Sequence, residues 1–474
     1  MKERQEHNYT LRFEPIRNKR GYVHLVENHN GKEEKFGFVI NDQDFEFRFQ
    51  HVVPAQIADL VDIAASIHVS DRLVPQDLRK RERHISVYLP VRNPNLIRST
   101  AFQEKLEGLL WWTTGSNWRF YFQDLDSIER QSEIQGTLTR FWLIPVDEVA
   151  LWSGGLDALA GLYNRLVSFP TKSFRLLGAG GNTQVYNRQK IVAHKIREIF
   201  PDRISLARLS LTLSGTKKQS KNQVSRARGI VFMLLGTACA LLMEQKELFV
   251  YENGIGAINL PYRKSAIGVD HTRSVHPRTL LDLSQAISEF IGKEFRISNP
   301  FLFSTKAEMC RILAENSEIQ LVAKTQSCDR QDRINGEGKV LQCGHCSSCL
   351  LRKQALAAAK LVDATQYVTS HGTQPSKSVN DYLPHMLAQL FTFRQCFQSS
   401  TIPEQQWQAL VMEFPMLEEI VVRCSESENL TLSEMQQKLL HLYKNYVMEW
   451  DTVETKISAS LSPPTNEEKS LVSI

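Results

Sequence analysis

The spacing of apolar residues changes along this 474-residue chain, and the first 145 residues have one characteristic pattern. Short stretches in which apolar and polar residues alternate predict β-strands, for example at 45–49 and 84–89. Two helical stretches, near 55–70 and near 99–110, interrupt the strands. We interpret residues 1–145 as an N-terminal α+β domain. Its sequence contains no recognisable cluster of catalytic residue types, so we expect a docking or interaction role.

From about residue 146 the pattern becomes an alternation of apolar strands and helices. A strand at 149–152 runs into a glycine turn, a helix follows at 158–167, and the alternation continues to about residue 361. Strands that alternate with helices are typical of a parallel, doubly wound α/β sheet. We therefore predict one α/β domain over residues 146–362.

The last part of the chain is predicted to be helical and then disordered. Residues 363–456 carry apolar residues at helical spacing, as in Met435, Leu439 and Leu442. Residues 457–474 are rich in Ser, Pro, Glu and Lys, a composition that does not support a packed core. We expect a C-terminal helical region followed by a disordered tail.

Composition and charge restrict the class of protein only moderately. The charged first residues lack an apolar signal segment, and the longest apolar stretch, 229–243, is shorter than the roughly 20 residues of a membrane helix. We expect a cytoplasmic protein with no membrane partner. The net charge of +5 permits anionic partners without requiring them, so nucleic acid is possible but not indicated.

The glycine turn after the strand at 149–152 is a candidate phosphate loop, with the sequence LWSGGLDA over 151–158. Gly154 and Gly155 allow the backbone to approach an anion closely, and the start of the next helix offers unpaired N–H groups. The Ser153 hydroxyl can donate a hydrogen bond to a phosphate, and Asp157 can hold a Mg²⁺ that bridges pyrophosphate oxygens. An ordinary strand-to-helix turn is the alternative. The chain has no GxxxxGK[ST] sequence, so this is not a Walker A loop.

Four of the eight cysteines are clustered in the sequence, and we predict that they bind one structural Zn²⁺. Cys328 is followed by Cys343, Cys346 and Cys349, and four thiolates complete a tetrahedral zinc site without an open position. An iron–sulfur cluster and free buried thiols are the alternatives. His345 is expected near the site or exposed, but not as a ligand.

The loop sequence SGGLD resembles the PP-loop of the ATP pyrophosphatase group, also called adenine nucleotide alpha hydrolase-like proteins. Members of this group cleave ATP between the α- and β-phosphates and adenylate a substrate oxygen. The family pattern is SGGxDS, and Ala158 stands where its final serine is expected.

A PP-loop together with this cysteine arrangement resembles the 7-cyano-7-deazaguanine synthase (QueC) family, over roughly residues 147–361. Further similar segments are 228–232, 299–301 and 305–308, together with Arg352 after the last cysteine.

The regions outside this resemblance, and the local patterns at 252–254 and 274–277, resemble the longer QatC-type proteins of bacterial anti-phage defence systems. The glycine-rich loop at 178–181 departs from the biosynthetic family's pattern.

The resemblance implies an ATP-dependent ligase with ATP, Mg²⁺ and Zn²⁺ as cofactors. The enzyme would adenylate the carboxylate of 7-carboxy-7-deazaguanine, or a related compound, and pass it to a nitrogen nucleophile. The implied catalytic residues are Ser153, Asp157 and Lys306. The implied nucleotide-binding residues are Ser153, Gly154, Gly155, Leu156, Asp157, Arg228 and Glu252.

Some of these residues have equally plausible structural interpretations. Lys306 and Arg228 can instead be salt-bridged or solvated charges at helix ends, and His276, just before a proline, favours a structural role.

Three alternative functions remain open from the sequence. These are a biosynthetic synthase that makes the free nitrile, a PP-loop enzyme that acts on RNA, and a degenerate nucleotide-binding scaffold in a defence complex. Because the flanking regions are large, we expect the acceptor to be an amine of a partner protein from the same defence operon.

Overall fold

The computed structural model describes most of the chain, and at residues 183–184, 333–334, 340, 455–456 and 458–461 it describes the backbone alone. The described residues are 8–17, 19–41, 53–76, 83–93, 100–125, 146–179, 183–214, 222, 225–262, 273–329, 333–334, 340–368 and 382–461. The strand predicted at 45–49, residues 180–181 of the glycine-rich loop, and the predicted tail from residue 462 onward lie outside these ranges.

Among the described residues, ten strands form one sheet and two short strands form a hairpin. The strands of the main sheet are β1 (Tyr9–Phe13), β2 (Arg20–Glu27), β3 (Lys32–Asn41), β4 (His84–Val91), β5 (Asn117–Asp124), β6 (Glu148–Leu151), β7 (Phe174–Ala179), β8 (Ile204–Ser214), β9 (Glu247–Phe249) and β10 (Arg296–Ser298). The strands of the hairpin are β11 (Arg333–Ile334) and β12 (Val340–Leu341).

The described helices cover the sheet and form the C-terminal region. In chain order they are α1 (Ala55–Leu73), α2 (Thr100–Thr114), α3 (Leu156–Ser168), α4 (Thr183–Ile199), α5 (Arg228–Leu242), α6 (Gly254–Ile258), α7 (Pro277–Ile291), α8 (Lys306–Glu315), α9 (Ile319–Ala323), α10 (Ser347–Ala358), α11 (Leu383–Gln398), α12 (Pro403–Glu413), α13 (Met416–Cys424) and α14 (Leu432–Leu461). Among them, no helix combines the length and the apolar character needed to cross a membrane. The helix α14 continues past residue 456, so the prediction of a disordered tail over 457–474 is wrong for residues 457–461, which are helical.

The sheet has two halves that differ in strand direction. In the parallel half, the order is β10-β9-β6-β7-β8 and every pairing is parallel. In the mixed half, the order is β3-β2-β1-β4-β5, with both antiparallel and parallel pairs. The parallel, doubly wound sheet expected after residue 146 is therefore present as part of a larger, mostly parallel sheet.

The two halves are joined by an antiparallel pairing of β3 with β8, from Gly37 opposite Ser214 to Asn41 opposite Ser210. The approach at this seam is close, because a Cβ atom added to Gly37 would lie 2.2 Å from the Ser214 hydroxyl. The predicted boundary at residue 145 therefore separates two stretches of sequence but not two sheets.

Alternate residues of the central strands pack on opposite faces of the sheet. Val149 and Leu177 belong to a core shared with α1, α2, α5 and α7, whereas Ala150 and Leu176 belong to a core shared with α3, α4 and α8. The C-terminal helices α11 to α14 have their own core, which also includes residues of α6. Helices therefore cover both faces of the parallel half, as a doubly wound sheet requires.

Candidate active site

The candidate site lies at the carboxyl ends of the strands β6, β9 and β10. The glycine loop follows β6, Glu252 comes three residues after β9, and Lys306 comes eight residues after β10. The chain continues from β6 to β7 on one side, whereas β9 lies on the other side, so the strand order reverses between β6 and β9. In open α/β sheets, ligands bind in the crevice at such a reversal point.

The glycine loop has a left-handed backbone at Gly154, where φ is 71°. A Cβ atom at this position would lie 3.1 Å from Cα of Gln189, so both the conformation and the space favour glycine. The carbonyl of Gln189 accepts a hydrogen bond from the Trp152 indole at 3.0 Å, which holds α4 beside the loop.

The Ser153 side chain is exposed at the mouth of the loop, and its Oγ accepts a hydrogen bond from Gly155 N at 3.1 Å. The helix α3 begins at Leu156, and the first N–H groups of a helix have no partner within the helix. The loop therefore offers a hydroxyl and backbone donors to an anion. Ala158 is buried against the core of α3, where it contributes no hydroxyl.

Two carboxylates, one ammonium and one amide meet behind the loop. The Lys306 ammonium lies 2.8 Å from Oδ2 of Asp157, and Asn253 Nδ2 donates to Oδ1 of Asp157 at 2.9 Å. The same Asn253 nitrogen donates to Oε1 of Glu252 at 2.8 Å. The structure thus brings together three of the residues that the sequence singled out, although they are separated by up to 149 positions in the chain.

The local charges shift the pKa values of this group. Burial and the neighbouring Asp157 carboxylate raise the pKa of Glu252 to about 8. Burial alone would lower the pKa of Lys306, but Asp157 and Glu252 outweigh it, and the pKa of Lys306 is raised. Near neutral pH the group therefore holds a protonated Glu252 beside an ion pair of Asp157 and Lys306.

Asn253 is a site residue that the sequence analysis did not assign. Its Oδ1 accepts a hydrogen bond from Gly256 N at 2.9 Å and caps α6, so the side chain is held in one orientation. Asn299 supports the neighbouring residue, because its Nδ2 donates to the carbonyl of Glu252 at 2.8 Å. The available signal was an asparagine directly before a glycine at the end of an apolar strand, which is typical of a helix cap.

Arg228 and His276 lie outside this group. Arg228 is an exposed side chain at the start of α5, and its guanidinium lies 4.9 Å from the centre of the Phe232 ring. His276 is buried, caps α7 by accepting from Arg278 N at 3.2 Å, and has a pKa lowered to about 3 by burial and by Arg273 and Arg278. These contacts give His276 a structural role.

The four clustered cysteines meet in space. Their sulfur atoms all lie within 4.8 Å of one another, and Sγ of Cys343 is 3.9 Å from Sγ of Cys349. Sulfur ligands at about 2.3 Å from a tetrahedral Zn²⁺ are about 3.8 Å apart, so the cluster fits zinc. Cys346 N donates to Sγ of Cys343 at 3.3 Å, a contact that favours a thiolate at that sulfur.

Neighbouring residues hold the cysteine loop in place. His345 is buried, and its Nδ1 lies 3.0 Å from the carbonyl of Cys343. Arg352 is fully buried, and its guanidinium donates to Oγ1 of Thr325 at 2.7 Å and to the carbonyl of Val322 at 2.9 Å. The arginine therefore ties α10 to the segment that leads to Cys328.

A doubly wound parallel sheet with a glycine loop at its reversal point has the layout of the α/β proteins that bind ligands at this edge of the sheet. Residues 266–360 match the family model described as queuosine biosynthesis protein QueC. This match contains Lys306 and the four clustered cysteines, and the glycine loop precedes it. Over this part the chain is QueC-like, and the QueC family has the PP-loop fold.

Curated relatives extend the similarity at low identity. The 7-cyano-7-deazaguanine synthase of Methylobacillus flagellatus is 27% identical over 147 residues, which cover 31% of this chain and 58% of that protein. The 7-cyano-7-deazaguanine synthase of Pseudomonas paraeruginosa is 26% identical over 142 residues, which cover 30% of this chain and 57% of that protein. The chain thus spans less than two thirds of the length of these relatives.

Proposed function

We propose that this protein is an ATP-dependent ligase that adenylates a carboxylate and transfers the acyl group to a nitrogen nucleophile. The observation that carries the proposal is the arrangement of Asp157, Lys306, Asn253 and Glu252 behind a glycine loop at the reversal point of the sheet. The similarity to the QueC family and to 7-cyano-7-deazaguanine synthases supports the substrate class, 7-carboxy-7-deazaguanine or a related compound.

In the proposed reaction, a carboxylate oxygen attacks the α-phosphorus of ATP, and the bond from that phosphorus to the bridging oxygen of the β-phosphate breaks. Pyrophosphate leaves, and its negative charge is bound by Ser153 and by the backbone N–H groups of Gly154, Gly155 and Leu156. Lys306 supplies positive charge next to the loop. The nitrogen nucleophile then attacks the acyl carbon, loses a proton, and displaces AMP.

Asp157 and Glu252 are the carboxylates that would hold Mg²⁺, and their oxygen atoms are the ligand type that this ion prefers. When bound, the ion supplies charge neutralisation at the phosphates. Without Mg²⁺, the raised pKa of Glu252 favours its protonated form near neutral pH. The chain therefore has a means of limiting the negative charge of this pair until a ligand is present.

We further propose that the acceptor is an amine of a partner protein in an anti-phage defence system. A free base and ammonia need little docking surface, whereas this chain has a mixed half of the sheet and a C-terminal helical region in addition to the parallel half. The named relatives support the alternative, a synthase that releases a free nitrile.

One incubation tests both the proposed adenylation and the proposed acceptor. The protein is mixed with ATP and 7-carboxy-7-deazaguanine, with and without the products of neighbouring genes, and nucleotides and intact masses are measured. We expect AMP and pyrophosphate, and a deazaguanine-sized adduct on one partner. Release of ADP would contradict adenylation, and AMP formation with free nitrile but no adduct would establish the biosynthetic alternative. The Asp157→Asn variant is the inactive control.

A further inference from the structure

The C-terminal helix α14 contacts two of the three chain segments that carry the candidate site, although it lies outside the region that matches the QueC family. At the first contact, the Thr305 hydroxyl donates a hydrogen bond to Oε1 of Glu449 at 2.6 Å. Thr305 is the N-cap of α8, and the first residue of α8 is Lys306. The contact therefore lies one residue from the ammonium that pairs with Asp157.

The same helix also contacts Glu308, the second residue of this helix cap. Thr305 and Glu308 form a capping box, in which Glu308 N donates to Oγ1 of Thr305 at 3.0 Å and Thr305 N donates to Oε2 of Glu308 at 2.8 Å. Asn445 Nδ2 donates to Oε1 of Glu308 at 2.7 Å. Both side chains of the capping box are thus hydrogen-bonded to α14.

The second contact is with the start of α6. A Cβ atom added to Gly254 would lie 2.7 Å from Cδ2 of Leu442 and 2.0 Å from the carbonyl oxygen of Leu302. This close approach requires glycine at the residue that directly follows Asn253. Leu442, Asn445 and Glu449 are separated by three and four residues, so they lie on one face of α14.

We propose that α14 positions the proposed adenylation site, with Glu449 as the positioning residue for Lys306. The proposal rests on the function proposed above. It assigns the C-terminal helical region a role in setting the distance from Lys306 to Asp157, through the cap of α8, and in holding Asn253 through Gly254.

The chemistry of Glu449 favours this role over simple packing. The side chain is buried, and burying a carboxylate is costly unless its hydrogen bonds are specific. Its other oxygen lies 3.3 Å from Nε2 of Gln354 on α10, and the nearest cation, Arg311 of α8, is 3.9 Å away. An apolar residue would fill the same space at lower cost, so the carboxylate is best explained by its contact with Thr305.

The proposal predicts a pH dependence that an ordinary packing residue would not cause. Burial raises the pKa of Glu449 to about 7, with Glu308 raising it further and Thr305, Gln354 and Arg311 acting in the opposite direction. A hydroxyl donates a stronger hydrogen bond to an ionised carboxylate than to a protonated one. We therefore expect kcat for AMP formation to rise as the pH increases through about 7.

The test compares Glu449→Ala, Glu449→Gln and a control, Glu454→Gln, in the full-length protein. Glu454 lies on the same helix but pairs with Arg394 of α11 at 2.6 Å, within the C-terminal region. We expect Glu449→Ala to lower kcat about tenfold or more with little change in KM for ATP, because small displacements of a catalytic group are costly. Glu449→Gln keeps an oxygen acceptor for Thr305, so it should retain most of kcat but lose the change near pH 7.

Hydrogen exchange supplies a readout that does not depend on activity. Glu449→Ala should accelerate exchange of the amides of Glu308 and Met309, which are bonded to Thr305, whereas the control should not. If the native protein forms no AMP, the proposed function fails and exchange alone decides the positioning role. The role is overturned if exchange at α8 is unchanged in Glu449→Ala, or if an active protein keeps kcat within about twofold and the same pH profile in both Glu449 variants.

Discussion

The two halves of the sheet use buried carboxylates in opposite ways. In the mixed half, Asp59 and Asp62 both pair with the Arg92 guanidinium, at 3.0 and 2.5 Å, and Asp59 also accepts from Arg92 N at 3.0 Å. In the parallel half, Asp157 pairs with the Lys306 ammonium at 2.8 Å and Glu252 is linked to Asp157 through Asn253, at the end of the sheet where Ser153 is exposed.

The difference lies in hydrogen-bond capacity and access rather than in the number of charges. The arginine of the mixed half has a planar fork that satisfies two carboxylates at once, and its own side chain is almost fully buried. A lysine is a single point of charge and has no such fork, and burial together with the Asp157 carboxylate raises the pKa of the neighbouring Glu252 to about 8. The first arrangement joins α1 to the sheet, and the second leaves a group that can respond to a ligand.

The first prediction concerns the zinc cluster, for which we expect the largest effect. Native protein should contain about one Zn²⁺ per chain, and Cys346→Ser should lose it. Structural zinc binding contributes on the order of 10 kcal/mol, so this variant should unfold around the cysteine loop and α10. Residues 1–145 contain no cysteine, so the mixed half should keep its protection against hydrogen exchange for longer.

Elemental analysis and exchange mass spectrometry measure the two outcomes. Cys396→Ser is the matched control, since its sulfur lies among the C-terminal helices, where it bonds the carbonyl of Ala409. A metal-free native protein of undiminished stability would refute the zinc assignment.

The features that were predicted from the sequence depend on local patterns. The glycine loop, the alternation of strands and helices after residue 146, and the closely spaced cysteines each occupy a short window. Within such windows, a backbone conformation or ligand spacing restricts which residue types fit. The resemblance to a family then linked Glu252 and Lys306 to the loop, and the structure places them beside it, while their roles remain predictions.

The features that were missed depend on contacts between distant residues. The β3–β8 seam pairs Gly37 with Ser214, and no property of either segment alone specifies this register. Asn253 was missed because its partner Asp157 lies 96 residues away. A polar residue next to a glycine indicates a helix cap, but not which carboxylate its amide will bind.

The second prediction concerns the Asp157 carboxylate of the parallel half. Asp157→Asn should reduce AMP formation by about 10³-fold, the size of effect seen when one preorganised electrostatic group is removed from a site. The fold should survive, because the loss of the Asp157 charge lets Glu252 ionise and pair with Lys306 instead. Steady-state AMP formation and a denaturation curve for the same preparation measure both effects.

The third prediction concerns the corresponding substitution in the mixed half, that of Asp59 by asparagine. Asp59→Asn should lower the free energy of unfolding by about 3 kcal/mol, because it leaves part of the buried Arg92 guanidinium without its carboxylate. AMP formation per folded molecule should stay at the native rate. If the effects of the two substitutions were reversed, with Asp59→Asn inactivating and Asp157→Asn unfolding the protein, the contrast between the two halves would be wrong.

The last prediction concerns the carboxyl group of Glu252, whose pKa is raised by burial and by the neighbouring Asp157. Its pKa is about 8 in the folded protein and 4.5 for an ordinary glutamate. Between these values the folded state holds a proton that the unfolded state has lost.

The contribution of Glu252 to stability is therefore fully present below pH 4.5 and declines as the pH rises toward 8. Between pH 6 and 7 this decline is about 1 kcal/mol per pH unit. Denaturation curves of the native protein and Glu252→Gln, in buffer without Mg²⁺ or chelator, should therefore agree best at low pH. They should separate as the pH rises, with the variant the more stable, because the amide does not titrate and resembles the protonated carboxyl group. A stability difference that stays constant from pH 5 to 8 would mean that Glu252 is ionised throughout, and that neither burial nor the Asp157 carboxylate raises its pKa in the folded protein.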